Sequence, residues 1–300
     1  MVAVAPVLRF LNIGAAVTAG VAAAQVPIPN ISQEGPRITW DITRDLTPEP
    51  DRGFIQIWNL APTTALAMRQ AWELAQGTGL YKVSLSFGWD KVMNLWGIMD
   101  PYDIRPSEPL GPVDQVTTFD CADGGIGYRD GVVGASLAKG DFTSMVQILA
   151  VSMNTVISPV SLAVFQTAAA QSPVQIFDNL SLYGNARDIF NDLMDSLNLQ
   201  WWILNSTIVM VPAGTPVAGP PVVLSPETGL LDYSPQSDGS IICTTLANPG
   251  MTQGIALTVL DEFKMPIAEG VFRAYSIRCT GDTNAGAEMR IVAKKALVGV

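Results

Sequence analysis

Residues 37–60 read RITWDITRDLTPEPDRGFIQIWNL, and this stretch decides the fold class. Apolar and polar residues alternate through RITWDIT at 37–43, which indicates a half-buried strand. TPEPDRG at 47–53 has the composition of a turn. FIQIWNL at 54–60 is predicted to be the next strand, paired with the first. The stretch therefore predicts a β-rich fold.

The segments on either side extend this pattern. A short helix is predicted from Thr63 to Gln76, where Gly77 stops it. The Pro-rich segment at 100–112 is predicted to be a loop. The uncharged segment at 10–33 is predicted to form a strand and a loop rather than a signal peptide or a membrane span. Alternating or β-branched runs predict further strands at 80–89, 94–99, 116–121, 241–246, 254–260, 271–279 and 288–297.

The middle of the chain has a helical period instead. Apolar residues recur at helical spacing over 142–153, which predicts an amphipathic helix. A second helix is predicted over 186–199, with Asn185 as its N-cap and its three aspartates on a solvated face. QWWILNSTIVMVP at 200–212 predicts a hairpin that turns at Asn205-Ser206. A Pro/Gly-rich linker follows it.

The composition indicates a protein that covers much of its surface with partners. Of the 300 residues, 48% are apolar and only 15% are charged, whereas about 25% is usual for globular proteins. Residues 140–263 hold ten acidic residues and one basic residue, which is −9 of the net charge of −10. Gripping phosphates needs clustered Lys and Arg, so nucleic-acid binding is not expected. The acidic span is either an ordinary acidic surface or the lining of a channel that repels DNA and so lets it pass without binding.

The absence of histidine excludes several kinds of chemistry. With no histidine in the sequence, His general bases, Ser-His and Cys-His pairs and His-ligated zinc are all ruled out. The three cysteines, Cys121, Cys243 and Cys279, are too far apart for a CxxC site and are predicted to be buried thiols, with pairing of two of them left open.

The stretch TTFDCADGGIGYRDG at 117–131 is the one candidate ligand loop. An EF-hand that starts at Asp120 fails, because Gly131 stands where the final Glu is needed. The stretch also does not match the calcium β-helix repeat, the Walker loop or the dinucleotide-binding fingerprint. Asp123-Gly-Gly is therefore predicted to be a turn after a strand. No catalytic, cofactor-binding or metal-binding residue is predicted, and no cofactor.

Several segments, taken in order, resemble one protein family. RITWDIT with FIQIWNL, WGIMDPYDI with DQVTTFDCADGG, and GNARDIFNDLMDSLNLQWWILNSTIVMVP are similar to segments of baseplate hub proteins of contractile-tail bacteriophages, the tail hub or late control protein D-like family. Further along, SPETG at 225–229 and LANP at 246–249, with Ala247 inserted, fit the same family, as does the Gly-Asp-Thr turn at 281–283. The resemblance covers about residues 37–297 and departs from the family in the Ala/Gly/Val-rich N-terminal segment.

This resemblance implies a fold and a structural role. The implied fold is mainly β with an α+β part: two tube-like (tudor-like) β-barrel domains plus a small helix–hairpin region. The expected divisions are a first barrel at 1–115, a second β domain with two helices and a hairpin at 116–221, and C-terminal strands that complete the barrels at 222–300. A fused spike or lytic domain is not expected.

The implied function is a homotrimeric hub ring that adapts the sixfold tail tube to the threefold central spike. Expected partners are the other two subunits, a tail tube or distal tail protein above, the spike below and neighbouring baseplate proteins. DNA is expected only in transit, without membrane embedding, in a virion tail assembled in the bacterial cytoplasm. An enzyme is not expected. The alternatives are a carboxylate-based cell-wall hydrolase of the tail and the hub ring of another contractile injection system.

Overall fold

The computed structural model describes residues 13–21, 26–30, 36–75, 81–89, 94–109, 114–173, 176–260 and 270–297, and they form a mainly β fold. The strands before the helical region are β1 (Ile13–Val21), β2 (Val26–Asn30), β3 (Ile38–Asp45), β4 (Arg52–Trp58), β5 (Tyr81–Trp89), β6 (Asn94–Pro109) and β7 (Gln115–Ala122). Those after it are β13 (Val222–Leu224), β14 (Leu230–Pro235), β15 (Ile241–Leu246), β16 (Ala256–Val259), β17 (Phe272–Asp282) and β18 (Gly286–Lys295). A helix, α1 (Pro62–Ala75), follows β4.

These thirteen strands belong to one sheet built from both halves of the chain. Its order is β14-β15-β18-β17-β3-β4-β7-β6-β5-β1-β2, with β16 beside β17 and β13 beside β16. The halves meet where β17 pairs antiparallel with β3, in a register that places Cys279 opposite Ile42. The predicted pairing of the strands at 37–43 and 54–60 is confirmed, with Trp40 opposite Ile55.

The sheet is curled around an apolar core. Trp40 on β3 stacks on Phe87 on β5, with ring centroids 5.6 Å apart, although β4, β7 and β6 lie between these strands in the sheet order. Alternate residues of β3 and β5 point into this core, because successive side chains of a strand face opposite sides. Helix α1 packs against the core through Met68 and Trp72.

Between β7 and β13 lies the helix–hairpin region, residues 125–212, which has a core of its own. The helices are α2 (Gly125–Asp130), α3 (Phe142–Ser152), α4 (Pro159–Ala169) and α5 (Ala186–Ser196). The strands are β8 (Val132–Asp141), β9 (Val156–Ile157), β10 (Ile176–Asn185), β11 (Leu199–Leu204) and β12 (Thr207–Pro212). β8 pairs with β10 in a two-stranded ribbon, and β11, β12 and β9 form a small sheet. The core of this region includes Phe165, Phe190 and Trp201.

Most of the predicted elements are confirmed. The amphipathic helix over 142–153 is α3, and the helix capped by Asn185 is α5, whose first free backbone N–H, that of Arg187, donates to the Asn185 side chain. The three aspartates of α5 are exposed. The hairpin over 200–212 is β11–β12, and the N-terminal segment contributes β1 and β2. Gly77, the predicted helix stop, lies outside the described residues.

One prediction about local structure is wrong, and two helices were not predicted. Residues 100–109 are not a loop but the second half of β6, which tolerates its prolines because the pairing with β7 shifts register around them; residues 110–112 lie outside the described part. The Gly-rich turn at 124 leads directly into α2. The helical region also holds α4, which the two predicted helices leave out, although Ser158 and Pro159 form a typical helix start.

The three cysteines are free and buried, as predicted. Burial raises the pKa of the Cys121 thiol well above its ordinary value and raises that of Cys243 to about 12. In the part of the chain that the structure describes, no helix has both the length and the apolar character needed to cross a membrane.

Candidate functional site

The helix–hairpin region is fixed to the sheet by the turn of its hairpin. Asn205 and Ser206 have φ values of 55° and 60°, which gives the left-handed turn that the Asn-Ser pair predicts. Both of their backbone N–H groups donate to the carboxylate of Asp123, with 2.7 Å between Ser206 N and Asp123 Oδ1. Asp123 directly follows β7, so one buried carboxylate ties the end of a sheet strand to the tip of the hairpin.

The side chain of Asn205 connects the hairpin turn to the sheet in the opposite direction, because here the turn supplies the side chain and the sheet supplies the donors. Its Oδ1 atom accepts the backbone N–H of Ile98 on β6 at 3.0 Å and the Nη2 of Arg44 at 3.2 Å. Arg44 Nη2 also donates to the carbonyl of Trp96 at 2.6 Å, and its guanidinium lies 4.1 Å from the centroid of the Trp96 ring. Arg44 is only 1% exposed, so this contact lies inside the protein.

Two further acidic residues and one lysine complete this buried charged cluster, which consists of Arg44, Asp51, Lys82, Asp100 and Asp123. Asp51 accepts the backbone N–H of Asp45 at 2.8 Å and the Gln253 amide at 2.8 Å. Lys82 pairs with Asp100 and also donates to Ser206 Oγ at 3.0 Å. Five charged groups of both signs therefore meet where the sheet and the hairpin turn join.

Burial dominates the electrostatics of this cluster. It raises the pKa of Asp123 to about 6, against the opposing influence of Arg44 and the two backbone N–H groups. It raises the pKa of Asp51 well above its ordinary value and lowers that of Arg44. Because four of these five groups are buried and all five form hydrogen bonds inside the protein, the cluster has the character of a structural joint rather than of a reactive site.

A second contact between the two parts lies beside the hairpin. Trp202 on β11 packs with Leu46 and Val211 in a small apolar cluster. Gln200 donates to the Leu46 carbonyl at 3.0 Å and accepts from Arg273 of β17 at 2.8 Å. Polar and apolar contacts together therefore hold the helix–hairpin region against both halves of the sheet.

The candidate ligand loop at 117–131 does not gather its acidic residues. Asp120 is exposed, Asp123 is buried under the hairpin turn, and Asp130 forms an ion pair with Arg129 at 2.7 Å. Among the described residues, no three His, Cys, Asp or Glu side chains are placed to hold a metal ion. Gly124, at φ 63°, makes the turn that Asp-Gly-Gly predicts.

An open cleft of about 700 Å³ lies between the sheet and helices α2 and α5. Glu49, Asp120 and Asp188 line it together with three arginines and two tyrosines, which are Arg52, Arg129, Arg187, Tyr102 and Tyr128. The Arg129 and Arg187 guanidiniums lie 5.5 Å and 5.2 Å from the Tyr102 and Tyr128 ring centroids. Its mixed charges and aromatic faces suit contact with a polar protein surface. The Cys121 thiol beside it is buried.

Sequence reasoning missed the buried charged cluster, although one signal for it was present. Arg44 continues the alternation of Ile38, Trp40 and Ile42, so the strand period alone places it on the core face of β3. A basic residue at such a position needs an internal partner. The identity of that partner was not readable, because Asp123 and Asn205 are brought to it only by the tertiary fold.

Solved structures share this fold over almost the whole chain. A tail protein from Neisseria meningitidis MC58 is 12% identical with a TM-score of 0.59, and the match covers 94% of this chain and 97% of that one. The 43 kDa tail protein of prophage MuSo2 from Shewanella oneidensis is 10% identical with a TM-score of 0.59, with 94% and 98% covered. No protein-family model and no curated protein matches the sequence.

A third similar structure belongs to another kind of machine. It is the E. coli c3393 protein, described as a component of the type VI secretion system with structural similarity to the T4 bacteriophage tail proteins gp27 and gp5. It is 9% identical with a TM-score of 0.55, and the match covers 93% of this chain and 77% of that one. The chain thus has a fold that is found in two tail proteins, one of them from a prophage, and in a secretion-system component.

Proposed function

We propose that this chain is a structural subunit of a phage tail baseplate, and more narrowly the hub of a contractile tail. The observation that carries the proposal is the match, over more than nine-tenths of the chain, to two tail proteins, one of them from a prophage. The order of the sequence motifs that resemble tail hubs supports the narrower form. In this role the chain forms a homotrimeric ring between the sixfold tail tube and the threefold spike, in a virion assembled in the bacterial cytoplasm.

The arrangement of the chain supports a rigid structural part. The curled sheet and the helix–hairpin region have separate cores, and the buried charged cluster and the Trp202 contact lock one to the other. We propose that the two halves of the sheet, β1–β7 and β13–β18, form the two tube-like barrels of each subunit, with the helix–hairpin region between them in the chain. Three subunits then present six barrels to the tube above.

The charge of the chain fits a channel that DNA traverses. The net charge of −10 disfavours adhesion of phosphates to the lumen, since like charges repel. The partners in this proposal are the tail tube or distal tail protein, the spike and neighbouring baseplate proteins. DNA is a passing cargo and not a ligand.

The oligomeric state tests the proposal directly. Native mass spectrometry of the full chain, with electron microscopy of tails that carry a tagged copy, should show a trimer at the junction between tube and spike. A stable monomer, or a sixfold ring within the tube, would contradict the hub role. A trimeric ring in particles that lack DNA would instead favour a contractile injection system, the second candidate, which the similarity to the secretion-system component supports.

A cell-wall assay tests the enzymatic alternative. The described cleft has three carboxylates in its lining, Glu49, Asp120 and Asp188, and a hydrolase of the carboxylate type needs two. We expect no release of peptidoglycan fragments by the purified chain. Hydrolysis that Glu49→Gln or Asp120→Asn abolishes, with Glu227→Gln on the far β13–β14 connection as a control, would overturn the structural role.

A further inference from the structure

The ribbon of β8 and β10 has two open edges. Each strand is ten residues long, and among the described residues neither pairs with any strand except the other. One face of the ribbon packs on the core of the helix–hairpin region through Val133 and Leu182. The outer backbone N–H and C=O groups of both strands therefore remain available for another strand.

Apolar side chains accompany both open edges. A groove of about 380 Å³ runs between β8 and α3, lined by Val133, Ala135, Ile148 and Val151. Val151 is 77% exposed, and Tyr183 on β10 is 87% exposed. An open strand edge beside exposed apolar surface is typical of a site where a strand is added from another chain.

The register within the ribbon indicates which residues would face each other if the outer edges of two copies paired. Within the ribbon Lys139 lies opposite Asp178, and Gly134 lies opposite Tyr183. A β-carbon at Gly134 would meet nothing within 4 Å, so the space above it is open. If β8 of one copy pairs with β10 of a second copy in the same register, Lys139 again faces an aspartate, and the neighbouring tyrosine ring can cover the glycine.

We propose that β8 of each subunit pairs antiparallel with β10 of the next subunit, so that the ribbons of a ring join edge to edge. This inference rests on the homotrimer of the proposed function. Rotation about an axis parallel to the strands preserves strand direction, so β10 of one copy automatically runs antiparallel to β8 of the next. The contact uses two different edges, which is the heterologous arrangement that closes into rings. Three ribbons give a closed set of six strands.

Cross-linking between two single-cysteine variants tests this pairing. Ser136 and Ser181 are exposed and occupy opposite positions in the ribbon register. Full-length Ser136→Cys and Ser181→Cys chains are mixed, assembled and treated with a short thiol cross-linker, while the three native thiols are buried. Each chain carries one new thiol, so a Ser136–Ser181 product can form only between subunits. The matched control replaces Ser181→Cys with Ser237→Cys, which is exposed in the β14–β15 turn.

We expect a dimer band from the first mixture and almost none from the control. Docked thiols react at an effective concentration on the order of millimolar, so at about 10 μM protein the rate should exceed the control by about a hundredfold. A trimer by native mass without this cross-link would overturn the ribbon pairing and leave the hub proposal standing. A monomer that forms no such cross-link would overturn both the ribbon pairing and the hub proposal. Cross-linking of Ser136→Cys to Val4→Cys within one chain would assign the groove to the chain's own N-terminal segment and overturn the pairing between copies.

Discussion

Replacing Asp123 by asparagine should change how the stability of the protein depends on pH. Asparagine keeps the shape of a neutral carboxyl group but cannot ionise. Burial raises the pKa of Asp123 to about 6 in the folded state, from an ordinary value of 3.8. The folded state therefore binds this proton more tightly than the unfolded state, and its contribution to stability is present at low pH and is lost as pH rises through 6.

The size of the effect follows from these two pKa values. Linkage gives a contribution of about 1 kcal/mol at pH 5 and almost nothing at pH 7.5. The free energy of unfolding of the wild type, minus that of Asp123→Asn, should therefore fall by about 1 kcal/mol over this range. The series stays above pH 5 because the sequence pI is about 4.4 and solubility is lowest there.

Urea unfolding followed by circular dichroism at half-unit pH steps measures this difference. Asp141→Asn is the matched control, because Asp141 also accepts a backbone N–H but is exposed and has a lowered pKa. Its difference from the wild type should stay constant, since this carboxyl is ionised in both states above pH 5. A difference for Asp123→Asn that is flat or rises with pH would show that the two N–H groups of the hairpin turn outweigh burial.

Three further predictions concern packing and thiol chemistry. Gly281→Ala should destabilise the fold by about 1–3 kcal/mol in thermal melts, because the added methyl group overlaps the Trp40 ring. Gly134→Ala places its methyl group in open space, and it should stabilise the strand by about 0.5 kcal/mol in the same measurement. Phe190→Ala should cost about 3–5 kcal/mol in urea unfolding, while Asp192→Ala on the same helix should stay within about 0.5 kcal/mol; equal losses would contradict the assigned core. The three buried thiols should resist Ellman's reagent at pH 8 in the native protein and all react in urea, and rapid native labelling would contradict their burial.

The strands of the curled sheet were predictable because their side chains alternate and the sheet has one buried face. β3 and β5 show this pattern in sequence and in burial. The ribbon was missed for a physical reason. β8 reads VVGASLAKGD, in which glycine, alanine and serine have weak strand preference, and its partner β10 is separated from it by two helices. Its pairing is set by tertiary packing and not by local preference.

The site was less accessible to sequence reasoning than the fold. The preference of Asp-Gly-Gly for turns correctly predicted a turn at Asp123, and Gly124 has the left-handed conformation that such a turn requires. They could not show that Asp123 binds a hairpin tip 82 residues further along the chain. Contacts of this kind depend on how two separately packed cores are placed, and a single sequence carries no local signal for that.

The pairing of β3 with β17 has a consequence for biosynthesis. Asp45 and its partner Ser276 are 231 residues apart, so the first half of the sheet leaves the ribosome long before the strand that covers its edge exists. At about 10 residues per second the delay is about 20 s. The helix–hairpin region has a core that is contiguous in sequence and can fold during this interval. The nascent chain therefore carries a bare β edge for many seconds, which makes it a natural client for chaperones until translation is complete.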